Sequence, residues 1–248
     1  MKTEPSICSS FEWKTSDEEH SGAVEESPLF RSEGIQLYSL PLWKRITDLA
    51  ILVLALPFLV FVMLVISIWI RLVSQGPVLF SQSRVGFGGE LFTIYKFRTM
   101  LLSSETDTHT EHVQELMRSN KRMTKLDQLG DDRLIRGGVC LRALGLDELP
   151  QVFNVLRGDL SFVGPRPCVG DEYALYSDAE KKRFGVHPGL TGYWQVMGKN
   201  KTTFTEMIEM DEHYVNERSL KLDLWILWRT PCVLLGQLLE SLKKPKAE

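Results

Sequence analysis

Residues 141–167 read LRALGLDELPQVFNVLRGDLSFVGPRP and set two adjacent carboxylates, Asp147 and Glu148, between Arg142 and Arg166. An aspartate with an ordinary pKa of about 3.9 is ionised at neutral pH. Asp147 therefore has the charge needed to attack a phosphorus atom and form an acyl phosphate. Such an attack on a phosphate is opposed by repulsion, which a divalent ion reduces. Mg2+ is the ion suited to carboxylate and phosphate oxygens, with Asp147 as its protein ligand. Arg142 and Arg166 offer planar forks for phosphate oxygens. Lys96 and Arg98 are assigned with them to substrate phosphate or nucleotide; two apart, they share one face of an expected strand. The plain alternative for the acidic pair is helix capping, because the helix dipole favours acids in a first turn. Arginines on both sides and a glycine-proline loop favour the catalytic reading.

These groups need elements to aim them. Leu149, Val152, Phe153 and Leu156 recur at helical spacing, predicting a short helix that starts at Asp147 and Glu148. Pro150 fits a first turn and Gly158 supplies the stop. The free N–H groups of that first turn suit a phosphate. Gly164, Pro165 and Pro167 hold the loop that carries Arg166. Upstream, Gly86, Gly88 and Gly89 separate two extended segments, predicting a hairpin whose second strand carries Lys96. Residues 105–129 are polar with helical tendency, and Val113, Leu116 and Met117 form an apolar stripe. The block VHPGLTGYWQVMGKN, 186–200, reads either as a substrate-lining loop or as a turn-rich core segment. Phe204 to Tyr214 is helical in character. Lys221 to Leu239 is apolar, and its Trp225, Trp228 and Arg229 suit a membrane interface; a core helix interrupted near Pro231 is the alternative.

Leu49 to Ile70 is uncharged for 22 residues. As a helix it is about 33 Å long, against a hydrocarbon core of about 30 Å. Membrane insertion is the expectation, and a buried soluble helix is the alternative. Pro57 lies inside the run and should kink or break it. Lys44 and Arg45 before the run and Arg71 after it give basic flanks on both sides. Equal flanks fit a re-entrant hairpin, with Ser67 or a neighbouring helix satisfying freed backbone groups; a straight span with a mild kink remains open.

The chain has 248 residues and a net charge of -3, with 44% hydrophobic content. Residues 1–41 hold 3 basic and 8 acidic side chains, and the remainder 26 basic and 24 acidic, net +2. The acidity thus belongs to the front, where 1–38 reads as a disordered tail. The rest can receive an anionic ligand or membrane surface. No basic tract, zinc pattern or RNP-like strand points to nucleic acid. Four dispersed cysteines suggest neither a disulfide framework nor a zinc site. His187 and His213 stand alone, and His109 and His112 lack a third ligand beside them. No signal peptide opens the chain.

The stretches KRITDLA (44–50), FSQSRVGFGGELFTIYKFRTM (80–100), 141–167 as quoted, PGLTGYWQVMGKN (188–200) and ERSLKLDLWILWRT (217–230) together resemble the bacterial sugar transferase family. These are polyprenyl-phosphate hexose-1-phosphate transferases, also called monotopic phosphoglycosyl transferases. The resemblance covers about 42–240. It implies an α/β, mainly helical monotopic membrane protein. The expected parts are a re-entrant helix over 42–73 broken near Pro57, a short β-hairpin, and a cytoplasmic catalytic domain over 78–240 with interfacial helices. It implies Asp147 as nucleophile, Glu148 in the same site, Arg142 and Arg166 as phosphate or nucleotide ligands, and Mg2+. The family break is often Ser-Pro where this chain has Leu56-Pro57. Where the family commonly has Asp-Pro-Arg, this chain has Asp131, Asp132 and Arg133, with the arginine retained and the proline missing. The chain resembles the catalytic half of larger relatives, and their additional helices and domain have no room here. Such relatives often use UDP-galactose or UDP-glucose.

The expected reaction moves a hexose-1-phosphate from a UDP-sugar to undecaprenyl phosphate at an inner-membrane surface and releases UMP. A glycosyltransferase releasing UDP and a non-catalytic scaffold of a glycan assembly complex are the rivals. Nothing in the sequence decides the donor or the glycan, and a homo-oligomer is left open.

Overall fold

The computed structural model describes residues 35–101, 115, 122, 133–198 and 201–243. The expected helical tendency over 105–129 and most of the expected tail lie outside the described residues. The last part of that tail segment, 35–38, is packed. The Tyr38 amide donates to the Gly185 carbonyl at 2.8 Å, and Ile35 lies against a core cluster.

The fold is mainly helical, with two helices among the described residues long and apolar enough to cross a membrane and a small helical and β domain. The first, α1 (Leu42–Val73), contains Pro57 without interruption, so the expected break there is not a break in the helix. Ser67 donates to the Met63 carbonyl one turn back, and so does not serve the carbonyl that Pro57 leaves free. The two ends of α1 dock and its middle does not. At the first end Lys44, Asp48 and Leu52 are buried; at the second, Ile66 and Ile70 pack with Phe97, Ile135 and Leu141. Between them Leu54, Phe58, Phe61 and Val65 are exposed.

The basic flanks of α1 are engaged by protein. Lys44 donates to Asp223 at 2.5 Å and to the Tyr214 hydroxyl at 3.0 Å. Arg45 donates to the carbonyls of Val155 and Leu156 at 2.6 and 2.8 Å. Arg71 donates to the Gly76 carbonyl. The charge symmetry read from the sequence is therefore not a pair of free charges at a lipid surface.

The expected hairpin forms from β1 (Leu79–Val85) and β2 (Leu91–Phe97), antiparallel around a 3-10 turn at Phe87–Gly89. After α2 (Gly138–Ala143), a 3-10 turn over Leu146–Gln151 runs into α3 (Val152–Arg157). Gly158, with φ 96°, ends it as expected. The expected apolar positions of this helix are covered only in part. Val152 and Val155 are buried while Phe153 and Leu156 are exposed. Asn154 is what turns α3: its buried amide donates to the Thr93 carbonyl of β2 and to Asp159.

A second sheet pairs β3 (Ser161–Val163) in parallel with β4 (Gly189–Thr191). Between them lie α4 (Gly170–Leu175), α5 (Asp178–Lys181) and a 3-10 turn at Lys182–Gly185. The chain ends in α6 (Tyr193–Met197), α7 (Phe204–Glu217) and α8 (Leu220–Lys243). Thr203 opens α7 with a reciprocal cap to Glu206. Helix α8 runs through Pro231 without interruption. It buries Asp223 and Ile226, and it exposes Leu224, Trp228, Leu235 and Leu239 along one stripe.

Candidate active site

Asp147 and Glu148 lie in the first turn of the Leu146–Gln151 segment, where the sequence places them. Asp147 is buried. Glu148 is partly buried, and its Oε1 accepts from Lys96 Nζ at 2.9 Å and Arg166 Nη2 at 3.4 Å. Three of the expected site residues are thus in one cluster. The negative charge of Asp147 also acts on the Lys96 ammonium. Burial pulls the Lys96 pKa below that of an ordinary lysine, and Glu148 opposes the shift. A small, open hollow lies beside this cluster, lined by Arg84, Ile94, Lys96, Glu148, Gln151, Arg166, Pro167, Gly189 and Leu190.

Hairpin register explains two of these cations. Phe80 faces Lys96 and Arg84 faces Phe92 across the ladder, so Arg84 and Lys96 share a face. Arg84 was not among the residues singled out from sequence. The signal was available, since it is an even-numbered position on the strand opposite Lys96. Arg98 has the same parity, but the strand ends at Phe97. Its guanidinium is buried and donates to the carbonyls of Gln75 and Ser74 and to the Ser74 hydroxyl. Arg98 therefore clamps the chain leaving α1 and does not line the hollow. Arg142, in the last turn of α2, is absent from the hollow's lining as well.

The Arg166 loop is held from behind. Gly164 donates to the Thr191 carbonyl and Gly189 to the Pro165 carbonyl, both at 2.9 Å. A Cβ on Gly164 would sit 2.4 Å from the His187 carbonyl oxygen, so only glycine permits this approach. Arg183 donates to the Arg166 carbonyl at 2.8 Å and pairs with Asp211 at 2.6 Å. Burial pushes the Asp211 carboxyl up to about 6. This support was not visible locally, because Arg183 and Asp211 lie on different elements. The 186–200 block divides between its two readings. Gly189 and Leu190 line the hollow, whereas Trp194 is core and donates to Thr202 at 2.7 Å.

The lone histidines lie against aromatics, His187 stacked on Phe87 and His213 tilted against Tyr193. Burial, with help from Lys44 and Arg45, lowers the His187 pKa. No cluster of three metal-ligating side chains occurs among the described residues. The adjacent carboxylates Asp147 and Glu148 fit only a metal that takes most of its oxygens from substrate phosphate and water, as Mg2+ does.

Residues 39–237 match the family model described as bacterial sugar transferase. The galactosyl transferase CpsE of Streptococcus agalactiae is 42% identical over 164 residues, 65% of this chain and 35% of that protein. The exopolysaccharide production protein ExoY of Sinorhizobium fredii is 37% identical over 201 residues, 78% of this chain and 86% of that protein. The undecaprenyl-phosphate galactose phosphotransferase of Salmonella typhimurium is 35% identical over 198 residues, 77% of this chain and 39% of that protein. The chain thus spans little more than a third of two of these relatives and most of the other.

Proposed function

The chain belongs to the bacterial sugar transferase family, and from that membership we propose that it transfers a hexose-1-phosphate from a UDP-sugar to undecaprenyl phosphate, releasing UMP. The observation that carries this reading is the cluster at the Asp147–Glu148 turn. Lys96 and Arg166 meet there on Glu148, with Arg84 lining the same hollow. A nucleotide diphosphate needs such positive charge, and phosphoryl transfer depends chiefly on positioning and charge neutralisation.

In the proposed sequence an Asp147 carboxylate oxygen attacks the sugar-linked phosphorus. A P–O bond forms, the P–O bond to the UMP phosphate breaks, and UMP leaves with the electron pair. A phosphate oxygen of the lipid then attacks the same phosphorus. The acyl phosphate bond breaks and the Asp147 carboxylate is restored. Lys96 and Arg166 neutralise phosphate charge through both steps. Mg2+, held by Asp147 and Glu148 with diphosphate oxygens, would supply further neutralisation.

The anchor is proposed to enter and leave by one leaflet, placing the domain on the cytoplasmic face of the inner membrane. A straight helix of 32 residues is about 48 Å long and would carry its ends to opposite sides of a hydrocarbon core about 30 Å thick. Both ends of α1 instead pack on one domain, with an exposed apolar middle. The exposed stripe of α8 suits an interfacial position beside it. We assign the reaction to the first membrane step of exopolysaccharide, capsule or O-antigen synthesis, with a lean to galactose or glucose as the sugar.

The test is the nucleotide product. Protein in lipid nanodiscs, given undecaprenyl phosphate and a panel of UDP-sugars, should release UMP with one of them. Asp147→Asn should abolish both turnover and a phosphosugar adduct on the protein. Release of UDP would favour the glycosyltransferase rival. An active Asp147→Asn variant would sink the covalent mechanism.

A further inference from the structure

Arg84 is an arginine placed at a disadvantage. It is nine-tenths buried, with a relative exposure of 9%. A guanidinium has five N–H donors. One reaches Gln82 Oε1 at 2.8 Å, and the buried Nε meets no acceptor. Among the described residues Arg84 makes no ion pair. The strand is pinned here, since the Val85 amide donates to the Cys168 carbonyl at 2.8 Å. That contact sets Arg84 beside the loop bearing Arg166. Burial and then the Arg166 charge both pull the Arg84 pKa down, and Glu172 and Glu148 oppose them. A desolvated cation next to another cation is an expensive arrangement that an anion relieves.

The hollow favours an anion. Among its lining residues Arg84, Lys96 and Arg166 contribute three positive charges and Glu148 one negative, so 3 - 1 leaves +2, and the adjacent Asp147 carboxylate lowers the local balance to +1. The diphosphate of a nucleotide sugar, with one ionised oxygen on each phosphorus, carries two negative charges.

We propose that Arg84 is a ligand of the donor's diphosphate, forming a three-cation cradle with Lys96 and Arg166. The identity of the anion rests on the reading in the preceding subsection; the demand for an anion rests on Arg84 itself. Glu148 now occupies Lys96 and Arg166, so the diphosphate displaces it from both. Arg84 is the cradle cation that is not tied to Glu148 and is ready to donate first. A lipid phosphate offers similar oxygens, and the experiment separates the two sources.

Binding of UDP and of inorganic pyrophosphate is measured by calorimetry on nanodisc-embedded wild type, Arg84→Gln and Arg84→Lys. The KM for undecaprenyl phosphate and the ligand-free Tm are measured on the same proteins. Arg157→Gln is the control, since that guanidinium lies over Tyr95 and does not line the hollow. Arg84→Gln should weaken UDP and pyrophosphate between about tenfold and a hundredfold, the range for a hydrogen bond to a charged group. Arg84→Lys should recover part of that loss. The ligand-free Tm of Arg84→Gln should equal or exceed that of wild type, because repulsion with Arg166 has gone, while the Tm rise on adding UDP shrinks. Unchanged UDP affinity with a lowered ligand-free Tm overturns the proposal and makes Arg84 structural. An effect confined to the undecaprenyl phosphate KM also overturns it. A wild type that releases UDP in place of UMP sinks the transferase reading, yet leaves the Arg84 result on UDP binding to stand on its own.

Discussion

Gly164→Ala tests how the substrate loop is supported. Its Cβ would lie 2.4 Å from the His187 oxygen, 2.8 Å from the Gly189 nitrogen and 2.9 Å from the Pro188 carbonyl carbon. Carbon contacts settle near 3.5 Å or beyond, so the two backbones must part by about 1 Å. Such a shift breaks the hydrogen bonds Gly164 to Thr191 and Gly189 to Pro165, each 2.9 Å long. Two buried bonds lost, with their groups left unsatisfied, cost about 2–5 kcal/mol. For a protein of this size that lowers Tm by roughly 5–20 °C. Arg166 is carried on the displaced loop, and a misplacement of about 1 Å can cost up to a hundredfold in kcat/KM. Gly236→Ala is the internal comparison, since nothing lies within 4 Å of its Cβ position in α8. The same chemical change there should stabilise by about 0.5–1 kcal/mol. Thermal unfolding in one detergent and initial rates in nanodiscs read both variants. A Gly164→Ala protein with wild-type Tm and kcat/KM refutes the reasoning.

Asp223→Asn should cost about 3–5 kcal/mol, because it strands the Lys44 charge in a buried site; a Lys44→Met, Asp223→Leu double variant should regain most of the lost Tm, and a double variant no better than the single change defeats the argument. The depressed Lys96 pKa means the folded protein sheds this proton at a pH where the unfolded chain still holds it. Stability from this group therefore rises with pH between the folded value and about 10.4. Donor binding, which needs the charge, should fall on the alkaline side before an ordinary lysine titrates. Lys96→Arg should move that alkaline limb of kcat/KM upward, and an unmoved limb assigns it to another group. Single cysteines at Leu42 and Leu72, in a background free of native cysteine, should both react with an impermeant maleimide from the cytoplasmic side only; labelling from opposite sides contradicts the re-entrant course.

The clustering of Lys96, Glu148 and Arg166 was legible because its cues are local. Pro150 and Gly158 bound a short segment, and alternation along a strand sets Lys96 on a face. The same alternation does not extend to Arg98, since the strand stops one residue earlier and the side chain turns toward Ser74. Lys44 and Arg45 were read as flanking charge because their partners lie more than a hundred residues away. Phe153 and Leu156 show another limit. Apolar spacing identifies an apolar face, but it does not say whether protein covers that face. The β3–β4 pairing was missed because three-residue strands leave little periodicity to detect. Their glycines were visible, and the backbone approach that requires them was not.

The docking of Lys44 onto Asp223 imposes an order on biosynthesis. The two residues are 179 positions apart. At about 5–20 residues per second, the ribosome adds the second roughly 10–35 s after the first. Throughout that interval Lys44, in the opening turn of the anchor, has not yet met the carboxylate it is hydrogen-bonded to. The nascent helix can meet lipid early, but its first turn is locked only when α8 arrives. The C-terminal segment therefore serves as the latch of an N-terminal anchor.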